Sequence, residues 1–254
     1  SYLLNGIVTE ESNYFYNEPD NLMITNQNIF SNGFINEKKY SYPKDLNQIW
    51  LINKNILRLP LIVTETFKKN LTDVGKVISK KEIIYPISSN SVAGEFALPL
   101  SIKSYNLDNT SQTDITYDSY DTKGNILQYT TKEGVSTAII WGYNQTQPIA
   151  KIEGATYAQV SGSIADIVNY SNADATFGSS VSEQETIDKL DAFRKLFPQY
   201  QITTYTYDPL IGVRSSTPPT GIREIYIYDT ANRLESVIDV KGKILKEYSY
   251  KYKQ

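Results

Sequence analysis

A tyrosine followed by an aspartate recurs along this 254-residue chain, as Tyr117-Asp118, Tyr120-Asp121, Tyr207-Asp208 and Tyr228-Asp229. The fullest copies read YDTKGNILQY (120–129) and YDTANRLESV (228–237). Each joins an aromatic that packs on a pleated surface to a carboxylate that accepts from the backbone N–H groups just ahead. Gly124, Asn125 or Asn232 then supplies the left-handed conformation that a tight reversal needs. From Asp121 to Gly134 is 13 residues, and from Asp229 to Gly242 is again 13. Equal spacing with like residue types marks an internal repeat, which predicts strands and turns of one built surface and not a single reactive pocket. The candidate turn residues are Tyr117, Asp118, Tyr120, Asp121, Gly124, Asn125, Tyr207, Asp208, Tyr228, Asp229, Asn232 and Gly242.

Composition narrows the chemistry. There is no histidine and no cysteine. Without histidine the commonest general base and metal ligand are missing, so Ser-His-Asp, zinc-hydrolase and facial-iron sites are excluded. Without cysteine there are no disulfides and no thiolate metal sites. No catalytic residue, metal site or cofactor is assigned. A net charge of −3 with both signs interspersed gives no footprint for nucleic acid or anionic lipid. No apolar run approaches the roughly 20 residues of a membrane helix. Tyrosine stands out, with 21 copies against 8 Phe and 2 Trp. A large apolar face with a water-tolerant hydroxyl suits sheets that keep one face wet. The opening SYLLNGIVTEESNYFYN has no initiator methionine and no signal pattern, so the chain is read as a processed product or a piece of something longer.

Residues 1–116 read as a β-rich repeat-like region with strands over 12–16, 38–42, 59–67, 76–85 and 98–105, and one short helix over 44–52 with Trp50 and Leu51 facing the core. Residues 117–254 read as a β-repeat region interrupted by a helical insertion at about 155–198. Within it, Tyr157, Val160, Ile164 and Ile167 recur at helical spacing. A second helix opens on Ser182 and Glu185 as a capping box, buries Ile187, Leu190, Phe193 and Leu196 or Phe197, and stops at Pro198. The stretch 169–182 between them reads as a mobile polar linker.

The segments YDTKGNI (120–126) and YDTANRL (228–234) resemble the YD-repeat or Rhs-type repeats of bacteria, with Asn125 where an arginine is usual and Asn232 where a glycine is usual. Residues 139–155 and 204–229 look like the C-terminal part of a secreted or surface-associated branch of that group. The resemblance implies a mainly β fold, an antiparallel curling sheet, carrying here a small two-helix insertion. In better-known members such a sheet winds into a shell around a cargo polypeptide, and the chain's three or four recognisable units are too few to close one. The implied protein is extracellular or at the cell surface, with a protein partner: the rest of a longer array, or a component of a secretion or toxin assembly.

Two sharper readings stand beside the structural one. Trp141, with Asn144 next to it in the sequence AIIWGYN, is a candidate glycan platform, against a tryptophan packed under a turn with its N–H bonded to backbone. The aspartates could pair as glycosidase acid and base or collect Ca²⁺, but turn capping already accounts for each position. The Gly212-Val213-Arg214 and Pro218-Pro219 segments read as connector or partner loop. Lys246, Lys251 and Lys253 read as guards on a terminal edge strand.

Overall fold

The computed structural model describes residues 2–3, 6–7, 10–176 and 181–251. Two short strands, β1 (Tyr2–Leu3) and β2 (Gly6–Ile7), pair with each other. The remaining strands form one 15-stranded antiparallel sheet in which each strand lies beside its neighbours in the chain. They are β3 (Glu10–Tyr16), β4 (Met23–Phe30), β5 (Ile35–Ser41), β6 (Ile62–Lys68), β7 (Lys76–Ile84), β8 (Ser101–Tyr105), β9 (Ser111–Tyr120), β10 (Ile126–Thr131), β11 (Ser136–Gly142), β12 (Gln147–Glu153), β13 (Gln201–Asp208), β14 (Gly212–Thr217), β15 (Glu224–Tyr228), β16 (Leu234–Asp239) and β17 (Ile244–Glu247). The fold is therefore mainly β and antiparallel, as the turn spacing and strand composition predict. The chain divides into two compact units, 1–118 and 119–254.

One corner recurs. At Phe30–Phe34, Asn106–Thr110, Asp121–Asn125, Thr131–Val135, Asp229–Arg233 and Asp239–Lys243 the first residue donates its N–H to the carbonyl of the fifth and accepts from the N–H of the fourth. That fourth residue is left-handed each time: Gly33, Asn109, Gly124, Gly134, Asn232 and Gly242, with φ between 57° and 86°. Only glycine or asparagine reaches this conformation cheaply, which is why those two residues punctuate the chain. Two further corners lie ten residues beyond Asp121 and Asp229, at Thr131 and Asp239, so the two repeats align corner for corner.

In the first unit, helix α1 is short (Ile49–Asn53) and buries Leu51 completely. It does not reach back to residue 44, and Trp50 is only partly buried, with Lys54 Nζ 4.7 Å above its ring. In the second unit the insertion comprises α2 (Tyr157–Val160), one 3-10 turn at Ser161–Ser163, α3 (Ala165–Asp174) and α4 (Glu183–Leu196). The single helix expected over 155–169 is thus broken at Ser161-Gly162-Ser163, where small residues compete poorly for helical geometry. Its second half runs on to Asp174, through what reads in sequence as a mobile linker; residues 177–180 of that stretch lie outside the described residues. Helix α4 opens on the Ser182/Glu185 capping box: Ser182 N–H donates to Glu185 Oε2 at 2.8 Å, and Glu185 N–H to Ser182 Oγ at 3.3 Å.

The helices cover β11 to β13. Ala138, Ile140, Ile149 and Ile152 from the sheet meet Val160, Ile167, Leu190 and Phe193 from the helices in a core with almost no exposed surface. Of the two residues offered for the last position on that face, Leu196 is 64% exposed and Phe197 packs against the core, its ring 5.2 Å from that of Phe193.

Candidate functional site

The motif residues divide into two groups. Asp121 and Asp229 sit at true corners. Asp121 Oδ1 accepts from the N–H groups of Lys123 and Asn125, both at 2.8 Å, and its Oδ2 accepts from Asn125 Nδ2 at 3.0 Å. Asp229 repeats this with Ala231 and Arg233, and Arg233 Nε donates to Oδ2 at 2.8 Å. Asn125 therefore makes the same link back to the carboxylate that Arg233 makes, although the residue differs. Asp239 forms a third such corner, its Oδ1 accepting from Lys241 and Lys243 at 2.8 and 3.0 Å. Ile238 and not a tyrosine precedes it, so the Tyr-Asp pattern does not mark it. The Arg233 side chain and then backbone donors hold the Asp229 carboxyl below the usual range, and the Lys243 and Lys241 N–H groups do so for Asp239.

Tyr117 and Asp118 lie inside β9 and do not form a corner. Tyr117 N–H donates to the Leu100 carbonyl at 2.9 Å, as a strand residue does. Tyr120 ends the same strand, one residue before Asp121. Tyr228 ends β15, and its hydroxyl donates to the Val213 carbonyl at 3.0 Å. Trp141 Nε1 donates to the Ile126 carbonyl at 2.8 Å, so its polar edge is spent on backbone.

Tyr207 and Asp208 belong to a different arrangement, where the helical insertion is bolted to the sheet. The register shifts between Thr206 and Tyr207, and this bulge lets both of these consecutive residues be buried. Tyr207 N–H donates to the Tyr143 hydroxyl at 2.9 Å, and that hydroxyl donates to Asp174 Oδ2 on α3 at 2.8 Å. Burial pushes the Tyr143 hydroxyl well above the usual phenol value, so it remains a donor. The two rings meet edge to face at 5.5 Å. Arg214 lies among three carboxylates, at 3.4 Å from Asp174, 3.7 Å from Glu183 and 3.6 Å from Asp208. Thr206 gives its single hydroxyl proton to Glu183 Oε1 at 2.8 Å, which leaves Ser215 as the donor in its 2.8 Å bond with Thr206.

Asn144 sits in the hairpin loop that feeds this network. Tyr143, Asn144 and Gln145 are all left-handed, with φ of 49°, 59° and 64°. Three such residues in a row cost about 1–2 kcal/mol each. The loop is held from several sides. Ser171 Oγ, wholly buried on α3, accepts from Tyr143 N–H at 3.4 Å, and Asn172 Oδ1 accepts from Asn144 N–H at 2.6 Å. Lys123 Nζ donates to the Asn144 carbonyl at 2.6 Å and Asn125 Nδ2 to the Gln145 carbonyl at 2.9 Å, both reaching across from the Asp121 corner. Gly142 is the closest approach: a β-carbon there would overlap Ser171 Oγ and come within 2.8 Å of Ile149 Cγ2.

At the other end of α4, Arg194 donates to the carbonyls of Ile202 and Thr217 at 2.7 Å and of Pro218 at 2.8 Å. The Pro218-Pro219 segment is therefore pinned to the helix. Among the described residues there is no cluster of acidic side chains with metal-ligand geometry, and no helix is long and apolar enough to cross a membrane.

No family model matches the chain, and no curated protein matches it. Similar solved structures include a crystal structure of TcdB2-TccC3-Cdc42, at 12% identity, and one of TcdB2-TccC3 without its hypervariable C-terminal region, at 13%. Each alignment covers 93% of this chain and 9% of the other, with a TM-score of 0.28. The chain thus spans about a tenth of the length of the structures it is aligned with, and likeness at that score carries no argument about function.

Proposed function

We propose that this chain is a non-catalytic β-repeat module of the YD or Rhs type, extracellular or on a bacterial cell surface, that serves as a scaffold and binds a protein partner. The observation that carries this reading is the fate of the motif carboxylates. Asp121, Asp229 and Asp239 each hold two backbone N–H groups of their own corner, 2.8–3.0 Å away, at separate reversals of the chain. A carboxylate so engaged fastens a turn; general acid–base work needs one whose lone pairs face a substrate. The resemblance of 120–126 and 228–234 to Rhs repeats suggests where such a module works: in a longer array, or in a secretion or toxin assembly.

The test pairs stability with ligand binding. Asp121→Ala with Asp229→Ala lowers the melting temperature while far-UV circular dichroism stays β-rich. A glycan array gives no saturable signal. Unchanged melting of the double variant would remove the structural role of the corners. Saturable binding of a defined saccharide, lost in Trp141→Ala, would replace the scaffold reading with carbohydrate recognition.

A further inference from the structure

The 15-stranded sheet ends on two strands of unlike character. Among the described residues β3 pairs only with β4 and β17 only with β16, so one backbone edge of each is open to a further strand. The pairing of β17 fixes which groups face out. Tyr248 N–H donates to the Glu235 carbonyl at 2.9 Å, so Glu247 beside it, opposite Ser236, turns its own N–H and C=O away from β16. Tyr14, Phe15 and Tyr16 at one end and Ile244, Leu245 and Tyr248 at the other are each 42–56% exposed. Successive strand residues point to opposite faces, so each end leaves open, on both faces, the kind of surface that a neighbouring strand covers elsewhere in the sheet. The two ends differ in charge. Residues 10–18 carry three glutamates and no cation, whereas residues 241–251 carry four lysines and one glutamate, −3 against +3. Lys241 and Lys243 lie near Asp239 and help to hold its carboxyl low. Glu10, Glu11, Glu18, Lys246 and Lys251 enter no ion pair among the described residues.

We infer that β3 of one copy of this chain pairs antiparallel with β17 of a second copy, so that the sheet extends from molecule to molecule. The inference deepens the binding-module reading and rests on it, naming the partner as another copy. Antiparallel pairing brings Glu10 and Glu11 to Lys251 and Glu18 to Lys243, and runs Tyr14, Phe15 and Tyr16 alongside 245–248. Opposite charges across a strand pair attract and like charges repel, which disfavours β3 against β3 and β17 against β17. The lysines of β17 thus guard it against its own kind and guide it toward an acidic edge. Because the two edges are unlike, each added copy presents the same pair of edges again, and association passes beyond the dimer. One added strand buries less than the about 1,200 Å² of a stable interface, so the contact is weak and depends on concentration.

Sedimentation velocity on the chain from about 5 to about 500 µM tests this. The weight-average sedimentation coefficient rises with concentration past that of a dimer, and about 0.5 M NaCl lowers it. Glu10→Lys with Glu11→Lys weakens association about tenfold, and so does Lys246→Glu with Lys251→Glu. An equimolar mixture of these two variants recovers the wild-type value, because each then meets an edge of opposite sign; mixing does not repair a chain that fails to fold. Glu247→Pro removes an N–H that faces away from β16, so it keeps the melting temperature near that of the wild type and abolishes association. A wild-type chain that stays monomeric throughout, a mixture no better than its parts, or association indifferent to Glu247→Pro would each overturn the inference. The first of these, with corner-dependent melting intact, would leave the scaffold reading standing with a different partner. Saccharide binding lost in Trp141→Ala would instead remove that reading and leave the sedimentation result untouched.

Discussion

The two units use the same strand-and-corner grammar but bury their side chains differently. In the first unit every residue of β4 and of β8 is half-buried, and β3 is exposed at nearly every position. Its fully buried residues are few and scattered, with Ile35, Leu51 and Leu61 foremost. In the second unit a helical layer lets Ile140, Ile149, Ile152, Ile167, Leu190 and Phe193 lose nearly all contact with water. A sheet face can remain wet when each strand alternates modest apolar groups with paired polar ones. A close-packed core requires a second layer.

The largest test of that contrast truncates one phenylalanine in each unit. Phe193 on α4 is 2% exposed, whereas Phe34 is 40% exposed and leans on Phe67 at 5.2 Å. Phe193→Ala is expected to cost about 3–5 kcal/mol, because the helix and sheet cannot collapse onto the space left. Phe34→Ala costs about 1 kcal/mol, the share of a half-exposed aromatic contact. Chemical denaturation of both variants measures the two values. Equal losses would mean that the helical layer adds no packing advantage.

Next in size is Tyr143→Phe. The ring remains, but Asp174 Oδ2 and the Tyr207 N–H both lose their partner in a buried setting, while Asp174 Oδ1 keeps Arg214. A loss of about 2–3 kcal/mol is expected, larger than for one ordinary hydrogen bond, since two groups are left unsatisfied. Urea denaturation read by far-UV circular dichroism checks it; a loss below about 0.5 kcal/mol would show that water replaces the hydroxyl.

Gly142→Ala probes the same seat through volume. The added methyl meets Ser171 Oγ and Ile149 Cγ2, and about 1–3 kcal/mol is expected. Ser171→Ala in the same chain removes one of the two obstacles, so the double variant should fall short of the sum of the single ones. Strict additivity would mean that the strand and α3 do not approach each other here as closely as the structure places them.

How much of this was legible in sequence follows from the range of each interaction. The corners at Asp121 and Asp229 are read from five adjacent residues, because the backbone and carboxylate bonds that close them lie within that window. The capping box of α4 is local in the same way. Strand β4 went unread because ITNQNI carries two asparagines and a glutamine, which depress strand propensity. In the sheet those side chains find partners across the ladder, Asn28 from Ser12 at 3.2 Å and Gln27 to Glu37 at 2.6 Å. The C-terminal part of α3, from 169 on, reads as linker for a related reason: its buried members include Ser171, a polar residue packed against Gly142. The Tyr143–Asp174–Arg214 network joins residues 31 and 40 positions apart. The glycine at 142 beside a tyrosine and two amide residues is the one local hint of a tight loop, and nothing nearby names its partners. Asp118 shows the reverse error, a corner signature within a strand: no left-handed residue stands three positions after it, whereas Gly124 and Asn232 stand there after Asp121 and Asp229.

The smallest effect compares acids of the two units on a pH axis. Glu37 on β5 is 3% exposed, and burial alone would raise its pKa. Gln27 at 2.6 Å, Lys68 at 3.0 Å and Lys39 at 3.3 Å outweigh burial and bring it below the ordinary glutamate value. Asp229 and Asp239 in the second unit are lowered as well, by donors at exposed corners. In all three the folded pKa lies below the unfolded one. Each therefore contributes stability that is fully present above the unfolded value, about 4, and is lost as pH falls through the depressed folded value. The melting temperature is expected to be level from neutrality to about pH 5 and to fall below about pH 4. Adding 0.5 M NaCl should flatten the part of that fall due to the exposed corners more than the part due to Glu37, which is itself buried and paired with the largely buried Lys68, although Lys39 is exposed. Glu37→Gln should then remove the less salt-sensitive part, and a melting curve whose acid limb is unchanged by that substitution would place all the pH dependence on the corners.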